Sequence, residues 1–150
     1  MLNEDYRDIL RILSKNRVDF LVVGAYAMSA YGYPRATGDI DIWVLPSQEN
    51  SRKVYISLAE FGAPVKDITE ETFLEHNIVY QIGVAPRRID VLTHIDGVDF
   101  QNALENKRVI ELEGLTIPII SKEELLKNKQ ATGREKDRLD ALHLLNNTEN

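Results

Sequence analysis

The chain has 150 residues, no cysteine, 43% hydrophobic residues and a formal net charge of −6 at pH 7. This composition suits one compact domain, taken as residues 1–150, and it excludes a disordered chain, disulfides, thiolate nucleophiles and cysteine-ligated zinc. No apolar run reaches about eighteen residues and the first ten residues are acidic, so we expect a cytoplasmic protein without a membrane-spanning segment or a signal peptide.

Hydrophobic periodicity in the first half of the chain alternates between helix and strand. It predicts a helix, a strand, a helix, a strand and a helix over residues 3–16, 18–24, 25–32, 39–45 and 47–62. Ser47 stands where an N-cap side chain accepts a backbone hydrogen bond, and Gly62 stands where a helix commonly ends.

The second half of the chain predicts further strands and ends in helices. The expected order is a short helix, a strand pair, a helical turn, a second strand pair and two helices, over residues 70–76, 78–95, 99–106, 108–120 and 121–147. Ser121 followed by Glu124 is a capping-box pattern at the start of the tail. These elements predict an α/β or α+β fold, a mixed β-sheet flanked by helices with further helices at the C-terminal end.

Two acidic residues, Asp39 and Asp41, interrupt the apolar strand "DIDIWVL". Side chains alternate between the two faces of a strand, so both carboxylates share one face and the intervening apolar side chains share the other. Taken alone, such a pair is more often a solvated outer face, because burying a carboxylate costs free energy. Asp90 repeats the apolar–acid–apolar pattern in "RIDVL", so the three carboxylates converge if the two strands are neighbours.

Three adjacent carboxylates repel one another unless a cation is bound. Their natural partner is Mg²⁺, which prefers oxygen ligands and keeps waters that substrate phosphates can replace. Two such ions clamp the attacking and leaving oxygens of an in-line phosphoryl transfer. The pattern therefore predicts a site for two Mg²⁺ ions at Asp39, Asp41 and Asp90; the alternative is a plain α/β domain whose aspartates are solvated.

Two small residues, Gly24 and Ala25, join the strand of residues 18–24 to the next helix. Backbone N–H groups at the start of a helix favour a phosphate, and small side chains let it approach. A tight strand-to-helix turn without a ligand explains the same residues equally well, since the sequence has no full P-loop.

The order of these motifs resembles the nucleotidyltransferase superfamily of the polymerase-β type. The matching stretches are "VVGA", "GDIDIWV" and "RIDVL", and the tail adds Lys129, "GREKD" (133–137) and Asp140. The resemblance covers residues 18–145 and includes small bacterial and archaeal members, among them abortive-infection toxin-like and aminoglycoside- or lincosamide-modifying types. It implies a nucleotidyltransferase-type mixed sheet followed by C-terminal helices.

The resemblance also implies a role for each matching residue. Asp39 and Asp41 would bind both metal ions, and Asp90 would complete the first metal site and help to deprotonate the acceptor hydroxyl. The cationic residues would neutralise phosphate charge, and glycine would let the triphosphate approach the backbone. The residues expected to bind the nucleotide are Gly24, Ala25, Arg35, Lys129 and Arg134.

The tail residues allow two interpretations. Arg134, Asp137 and Asp140 share a helix face, and Lys136 with Asp140 has the spacing of an i,i+4 ion pair. Such pairs often do no more than solvate a helix, so a surface role and a phosphate-binding role both remain open. The leucines of this helix are expected to pack on its opposite side: Leu139, Leu142 and Leu145.

The sequence supports two functions of different classes. The first is a Mg²⁺-dependent nucleotidyltransferase that moves NMP from an NTP, with ATP as the expected donor, to a hydroxyl-type acceptor and releases pyrophosphate. The second is a non-catalytic or regulatory protein of the same fold that acts through a protein partner, as in a toxin–antitoxin pair, because Ala25 stands where the family has Gly or Ser. The acceptor (a small molecule, an RNA or a protein) and a homodimeric state are left open.

Overall fold

The computed structural model describes residues 2–34 and 37–146. The helices are α1 Glu4–Lys15, α2 Gly24–Ala30, α3 Gln48–Phe61, α4 Phe100–Glu105, α5 Lys122–Ala131 and α6 Glu135–Asn146, with a 3₁₀ turn at Thr72–Leu74. The strands are β1 Phe20–Val23, β2 Asp39–Val44, β3 Val79–Ile82, β4 Arg88–Leu92, β5 Arg108–Leu112 and β6 Leu115–Ile119. The predicted α/β class is confirmed. Within the described ranges, no helix combines the length and hydropathy needed to cross a bilayer.

One mixed sheet of six strands, in the order β3-β4-β2-β1-β6-β5, organises the molecule. β2 lies near its centre, antiparallel to β1 and parallel to β4. The predicted strand pairs are confirmed as the antiparallel pairs β3/β4 and β5/β6. The register of β2 with β4 positions the site, because it pairs Asp41 with Asp90 and Asp39 with Arg88.

The central strands are held by apolar burial on both sides of the sheet. All four residues of β1 are buried, and Ile40, Ile42 and Val44 of β2 are each at most 1% exposed. Full burial of one such side chain contributes about 1.5–3 kcal/mol. This burial holds the backbone of β2 rigidly, and with it the acidic side chains on the alternate face.

Local capping defines two of the helices as predicted. The side chain of Ser47 accepts a hydrogen bond from the backbone of Asn50, and α3 ends at Gly62 with φ of +98°. The side chain of Ser121 accepts from the backbone of Glu124 at the start of α5. Each cap satisfies a backbone group that the helix itself leaves without a partner.

The expected packing of the α6 leucines is wrong. Leu139, Leu142 and Leu145 are 54%, 55% and 52% exposed, while Asp137 and Asp140 face inward at 4% and 0% exposure. Charge and apolar burial both contribute, because a lysine of α5 lies against both aspartates and Leu144 on the same side of α6 is packed in the core. The helix therefore buries Leu144 beside its two aspartates and exposes the three leucines that were expected to pack.

Candidate active site

Three carboxylates converge where β2 and β4 run side by side. Oxygens of Asp39, Asp41 and Asp90 all lie within 4.8 Å of one another. The parallel register is the cause, since Asp41 is paired directly with Asp90 and Asp39 lies two residues earlier on the same face. The structure thus brings together the three aspartates singled out from the sequence.

The pKa values of these aspartates show the cost of placing them together. Burial, followed by the charges of Asp39 and Asp90, raises the pKa of Asp41 to about 7. Burial also raises the pKa of Asp90. Burial acts on Asp39 in the same direction, but hydrogen bonds with Thr37, Asp90 and Arg88 outweigh it and hold the pKa of Asp39 below its ordinary value. Asp41 therefore carries most of the repulsion within the cluster.

The donor set fits a divalent ion of the magnesium type. Among the described residues, this group consists of carboxylates alone, and hard oxygen ligands favour Mg²⁺ over softer transition metals. A cation between the carboxylates would relieve the repulsion that raises the pKa of Asp41. Asp39, Asp41 and Asp90 are the residues that could hold such an ion.

A fourth charged residue, Arg88, reaches into the acidic cluster and was not singled out from the sequence. Its Nε donates to Asp90 Oδ1 at 3.1 Å, and its Nη2 donates to Asp39 Oδ2 at 3.0 Å and Asp90 Oδ2 at 3.3 Å. The spacing contains the signal, because Arg88 lies two residues before Asp90 and so shares its strand face. Its contacts with Asp90, and then with Asp39, raise the pKa of Arg88 above its ordinary value, so the guanidinium stays charged.

Gly24 lies directly against the cluster. Its φ is +70°, and a Cβ at this position would lie 2.1 Å from Asp41 Oδ2. A left-handed backbone and the absence of a side chain are therefore both needed where β1 meets α2. This close contact explains the glycine of "VVGA" independently of any phosphate.

The tail helices complete the site. Lys129 Nζ lies 3.2 Å from Asp137 Oδ1 and 3.2 Å from Asp140 Oδ2, and its side chain is only 12% exposed. The interpretation of these tail aspartates as a merely solvated helix face is therefore wrong. The positive charge of Lys129 also opposes the rise in the pKa of Asp41, which places this lysine within electrostatic reach of the cluster.

A cavity of about 250 Å³ separates the acidic cluster from the tail. One side is formed by the turn after β1 and by β2, with Gly24, Ala25, Asp39 and Asp41. The other side has Lys129, Arg134 and Lys136, together with the two aspartates that pair with Lys129. Arg134 Nε also donates to Asp137 Oδ2 at 2.9 Å. The cavity therefore brings four of the five predicted nucleotide-binding residues together, and Arg35 lies outside the described residues.

A second, larger cavity of about 570 Å³ lies on the opposite face of the sheet, lined mainly by apolar side chains such as Val22 and Ile40. None of the three clustered aspartates lines it. We therefore place the candidate active site in the smaller cavity, where charged groups of both signs converge.

Comparison with known proteins identifies related chains and folds. A family model described as nucleotidyl transferase of unknown function (DUF2204) matches residues 2–150. A Thermotoga maritima protein whose solved structure is assigned as a nucleotidyltransferase is 21% identical, with a TM-score of 0.63 over 97% of this chain and 96% of that chain. The lincosamide antibiotic adenylyltransferase LnuA, solved with lincomycin bound, is 17% identical, with a TM-score of 0.59 over 99% of each chain.

A third solved structure, ANT(2″)-Ia in complex with adenylyl-2″-tobramycin, is 13% identical, with a TM-score of 0.58 over 93% of this chain and 84% of that chain. No curated protein matches the sequence. At these identities the solved structures show a shared fold, and the predicted nucleotidyltransferase-type architecture is confirmed.

Proposed function

Because this chain belongs to the nucleotidyl transferase family that matches residues 2–150, we propose that it transfers NMP from an NTP to a hydroxyl group of an acceptor, with Mg²⁺, and releases pyrophosphate. The observation that carries this proposal is the convergence of Asp39, Asp41 and Asp90 within 4.8 Å, beside a cavity whose other side has three cationic side chains and two aspartates of α6. Such an arrangement suits a metal-bound triphosphate, because phosphoryl transfer depends mainly on positioning and charge neutralisation.

We assign the metal-holding role to the acidic cluster. Asp39 and Asp41 would hold both ions, and Asp90 would complete the first site. When bound, the two ions neutralise the phosphates and orient the attacking and leaving oxygens. Asp90 has a raised pKa and lies beside Asp41, so it is suited to accept the proton of the acceptor hydroxyl.

The remaining residues act on the donor. Lys129, Arg134 and Lys136 line the side of the cavity opposite the carboxylates and would bind the phosphates of the NTP. Gly24 and Ala25 place no bulky side chain on the side of the cavity that Asp39 and Asp41 line. As the acceptor oxygen bonds to the α-phosphorus, the bond between that phosphorus and the oxygen that bridges it to the β-phosphate breaks. Pyrophosphate leaves, and the cations of the tail helices balance its charge. Arg35 keeps its proposed phosphate role on sequence grounds.

We propose ATP as the donor, supported by two adenylyl-transfer structures among the solved neighbours: an adenylyltransferase by name and a complex with an adenylylated antibiotic. The acceptor is proposed only as a hydroxyl-bearing molecule. We also propose that residues 1–150 act as one nucleotidyltransferase domain, since the strands and the tail helices line the same cavity.

Calorimetric titration of the four NTPs, with and without Mg²⁺, tests the proposal. We expect binding that needs Mg²⁺ and is lost in Asp39→Ala and Asp41→Ala, since each variant removes one ligand. Asp8→Ala is the matched control, because Asp8 lies on α1 with a side chain that is 45% exposed and pairs with Arg11. Melting curves establish that each variant folds.

Pyrophosphate release in the presence of hydroxyl-bearing acceptors then tests turnover. If the native protein binds no NTP, or if Asp41→Ala binds as well as the native protein does, the catalytic proposal fails. The non-catalytic alternative, a toxin–antitoxin type protein that acts through a partner, would then be favoured, and co-purification with a stoichiometric protein partner would be its direct test.

A further inference from the structure

We propose that Arg88 is an internal counter-ion of the acidic cluster, which holds Asp39 and Asp90 together in the metal-free protein and must leave when a divalent cation binds. This inference rests on the proposed function, because it concerns the ion that the three carboxylates would hold. It adds a residue that controls how readily that ion binds.

Arg88 already donates hydrogen bonds to two of the three carboxylates. Its Nε and Nη2 occupy both oxygens of Asp90 at 3.1 and 3.3 Å, and its Nη2 occupies Asp39 Oδ2 at 3.0 Å. The hydroxyl of Thr37 donates to the remaining oxygen, Asp39 Oδ1, at 2.8 Å. All four oxygens of these two ligands therefore accept charge-stabilising hydrogen bonds without any metal.

The guanidinium of Arg88 and a divalent ion would compete for the space between Asp39 and Asp90. The guanidinium bridges Asp39 and Asp90, and an ion coordinated by both residues would need an oxygen of Asp90, both of which already accept hydrogen bonds from Arg88. Two cations held within a few ångströms repel, in the same way that the carboxylates repel when no cation is present. Binding of the ion therefore requires the guanidinium to turn away.

The side chain of Arg88 borders solvent, whereas that of the nearby Lys129 is largely buried. Arg88 is the first residue of β4, and its side chain is 36% exposed. Lys129 is 12% exposed and lies between two buried carboxylates, Asp137 and Asp140, which hold it in place. The side chain of Arg88 can therefore turn out into solvent when a metal ion binds.

Arg88 would therefore stabilise the metal-free protein and weaken its affinity for metal. With Arg88 in place, the protein folds without a bound ion, since a positive charge already lies among the three negative ones. Without Arg88, the same carboxylates would form a more open site for a divalent cation. Loss of Arg88 should thus strengthen metal binding, the opposite of the result expected for a residue that helps to hold the ion.

Mn²⁺ binding, measured by calorimetry and by the loss of the free-ion EPR signal, tests this inference on the native protein, Arg88→Gln and Arg87→Gln. Arg87 is the matched control, because it is the adjacent residue, its side chain is 53% exposed, and its Nη1 lies 3.5 Å from Asp5 Oδ2, away from the cluster. Both variants lose one positive charge. We expect Mn²⁺ to bind at least about tenfold more tightly to Arg88→Gln and unchanged to Arg87→Gln, as removal of a close competing cation predicts.

Melting curves give a second readout that does not depend on activity. In EDTA, Arg88→Gln should melt below the native protein, because the cluster has lost its counter-ion, and saturating Mn²⁺ should raise its melting temperature by more than it raises that of the native protein. Equal or weaker Mn²⁺ binding by Arg88→Gln overturns the inference and leaves the metal site intact. Absence of Mn²⁺ binding in all three proteins overturns the metal site, and the proposed function with it.

A measurement on the native chain covers the case in which Arg88→Gln does not fold. The Nε–H group of Arg88, bonded to Asp90, should give a protected NMR signal in EDTA, assigned by its disappearance in Arg88→Lys. Saturating Mg²⁺ should shift this signal and speed its exchange with water. A signal that is unchanged at saturation would show that the guanidinium stays in place, and the inference would be wrong.

Discussion

At the scale of single residues, Asp41 is the carboxylate of the site whose ionised form is least favourable. Arg88 donates hydrogen bonds to Asp39 and Asp90 but acts on Asp41 only through its charge. Burial and the two neighbouring carboxylates therefore raise the pKa of Asp41 to about 7. Residues placed for chemistry commonly reduce stability in this way, and Asp41 gives two measurable consequences.

The first prediction concerns Asp41→Asn in the absence of divalent ions. Between the ordinary pKa of about 4 and the folded value of about 7, the folded protein keeps a proton that the unfolded chain has released, so stability falls as pH rises through this window. Asparagine cannot ionise, so the variant avoids the free-energy cost of a charged carboxylate at this position. In EDTA, Asp41→Asn should melt a few degrees above the native protein at pH 8, and the difference should shrink toward pH 5. A variant that melts lower at pH 8 would contradict the prediction.

The second prediction concerns Gly24→Ala. A Cβ there would lie 2.1 Å from Asp41 Oδ2, in addition to the strain of φ at +70°. Gly114→Ala is the matched control, since its φ is +82° and nothing lies within 4 Å of its added Cβ. Strain alone costs about 1–2 kcal/mol in either variant. Urea unfolding should show a clearly larger loss for Gly24→Ala, and equal losses would show that contact with Asp41 is unimportant.

At the scale of elements, the α5–α6 pair combines buried apolar side chains, such as Leu125 and Leu144, with buried charge. Lys129 of α5 pairs with Asp137 and Asp140 of α6, whose side chains are 6% and 0% exposed. A surface ion pair contributes little, but a buried carboxylate that loses its partner is strongly destabilising. The orientation of α6 therefore depends on a lysine of the neighbouring helix.

The third prediction is that Lys129→Met destabilises the protein by about 3–5 kcal/mol, because it removes the largely buried cation that pairs with both Asp137 and Asp140, while the exposed Arg134 stays paired with Asp137. Lys53→Met is the control. Lys53 forms an i,i+4 pair with Glu49 whose side chain is 80% exposed, so its loss should cost less than about 1 kcal/mol. Urea unfolding measures both. Similar small losses in the two variants would show that solvent compensates the α6 aspartates.

At the scale of the whole molecule, the site is assembled from segments that are far apart in the chain. The turn after β1, the strands β2 and β4, and the two tail helices all contribute charged or small residues to one cavity or to the cluster beside it. The β5/β6 pair lies at the opposite edge of the sheet from β3 and β4. Ligand binding should therefore protect some segments and leave others unchanged.

The fourth prediction follows from this assembly. Saturating Mg²⁺ with a non-hydrolysable NTP analogue should slow amide hydrogen exchange in β2, β4, α5 and α6, because the ligand would bridge the carboxylates and the tail cations. The β5/β6 pair serves as an internal control and should exchange at its unliganded rate. Protection confined to β2 and β4 would show that the tail takes no part in nucleotide binding.

The sequence by itself determines the features that depend on neighbouring residues. Alternation along a strand places Asp39 and Asp41 on one face, and local hydrogen bonds set the caps at Ser47 and Ser121. These interactions span a few residues, so periodicity and residue type are sufficient to find them. The elements and the acidic pair are predictable for that reason.

Only the tertiary structure decides what depends on residues distant in sequence. The parallel register of β2 with β4 brings Asp90 beside Asp41 and points Arg88 at the cluster, and the lysine of α5 selects which face of α6 is buried. Strand pairing and charge pairing are settled by contacts between segments, and local periodicity carries no information about them. For this reason the sequence placed the α6 leucines on the wrong side, whereas Arg88 could have been found from its position two residues before Asp90 on the same strand face.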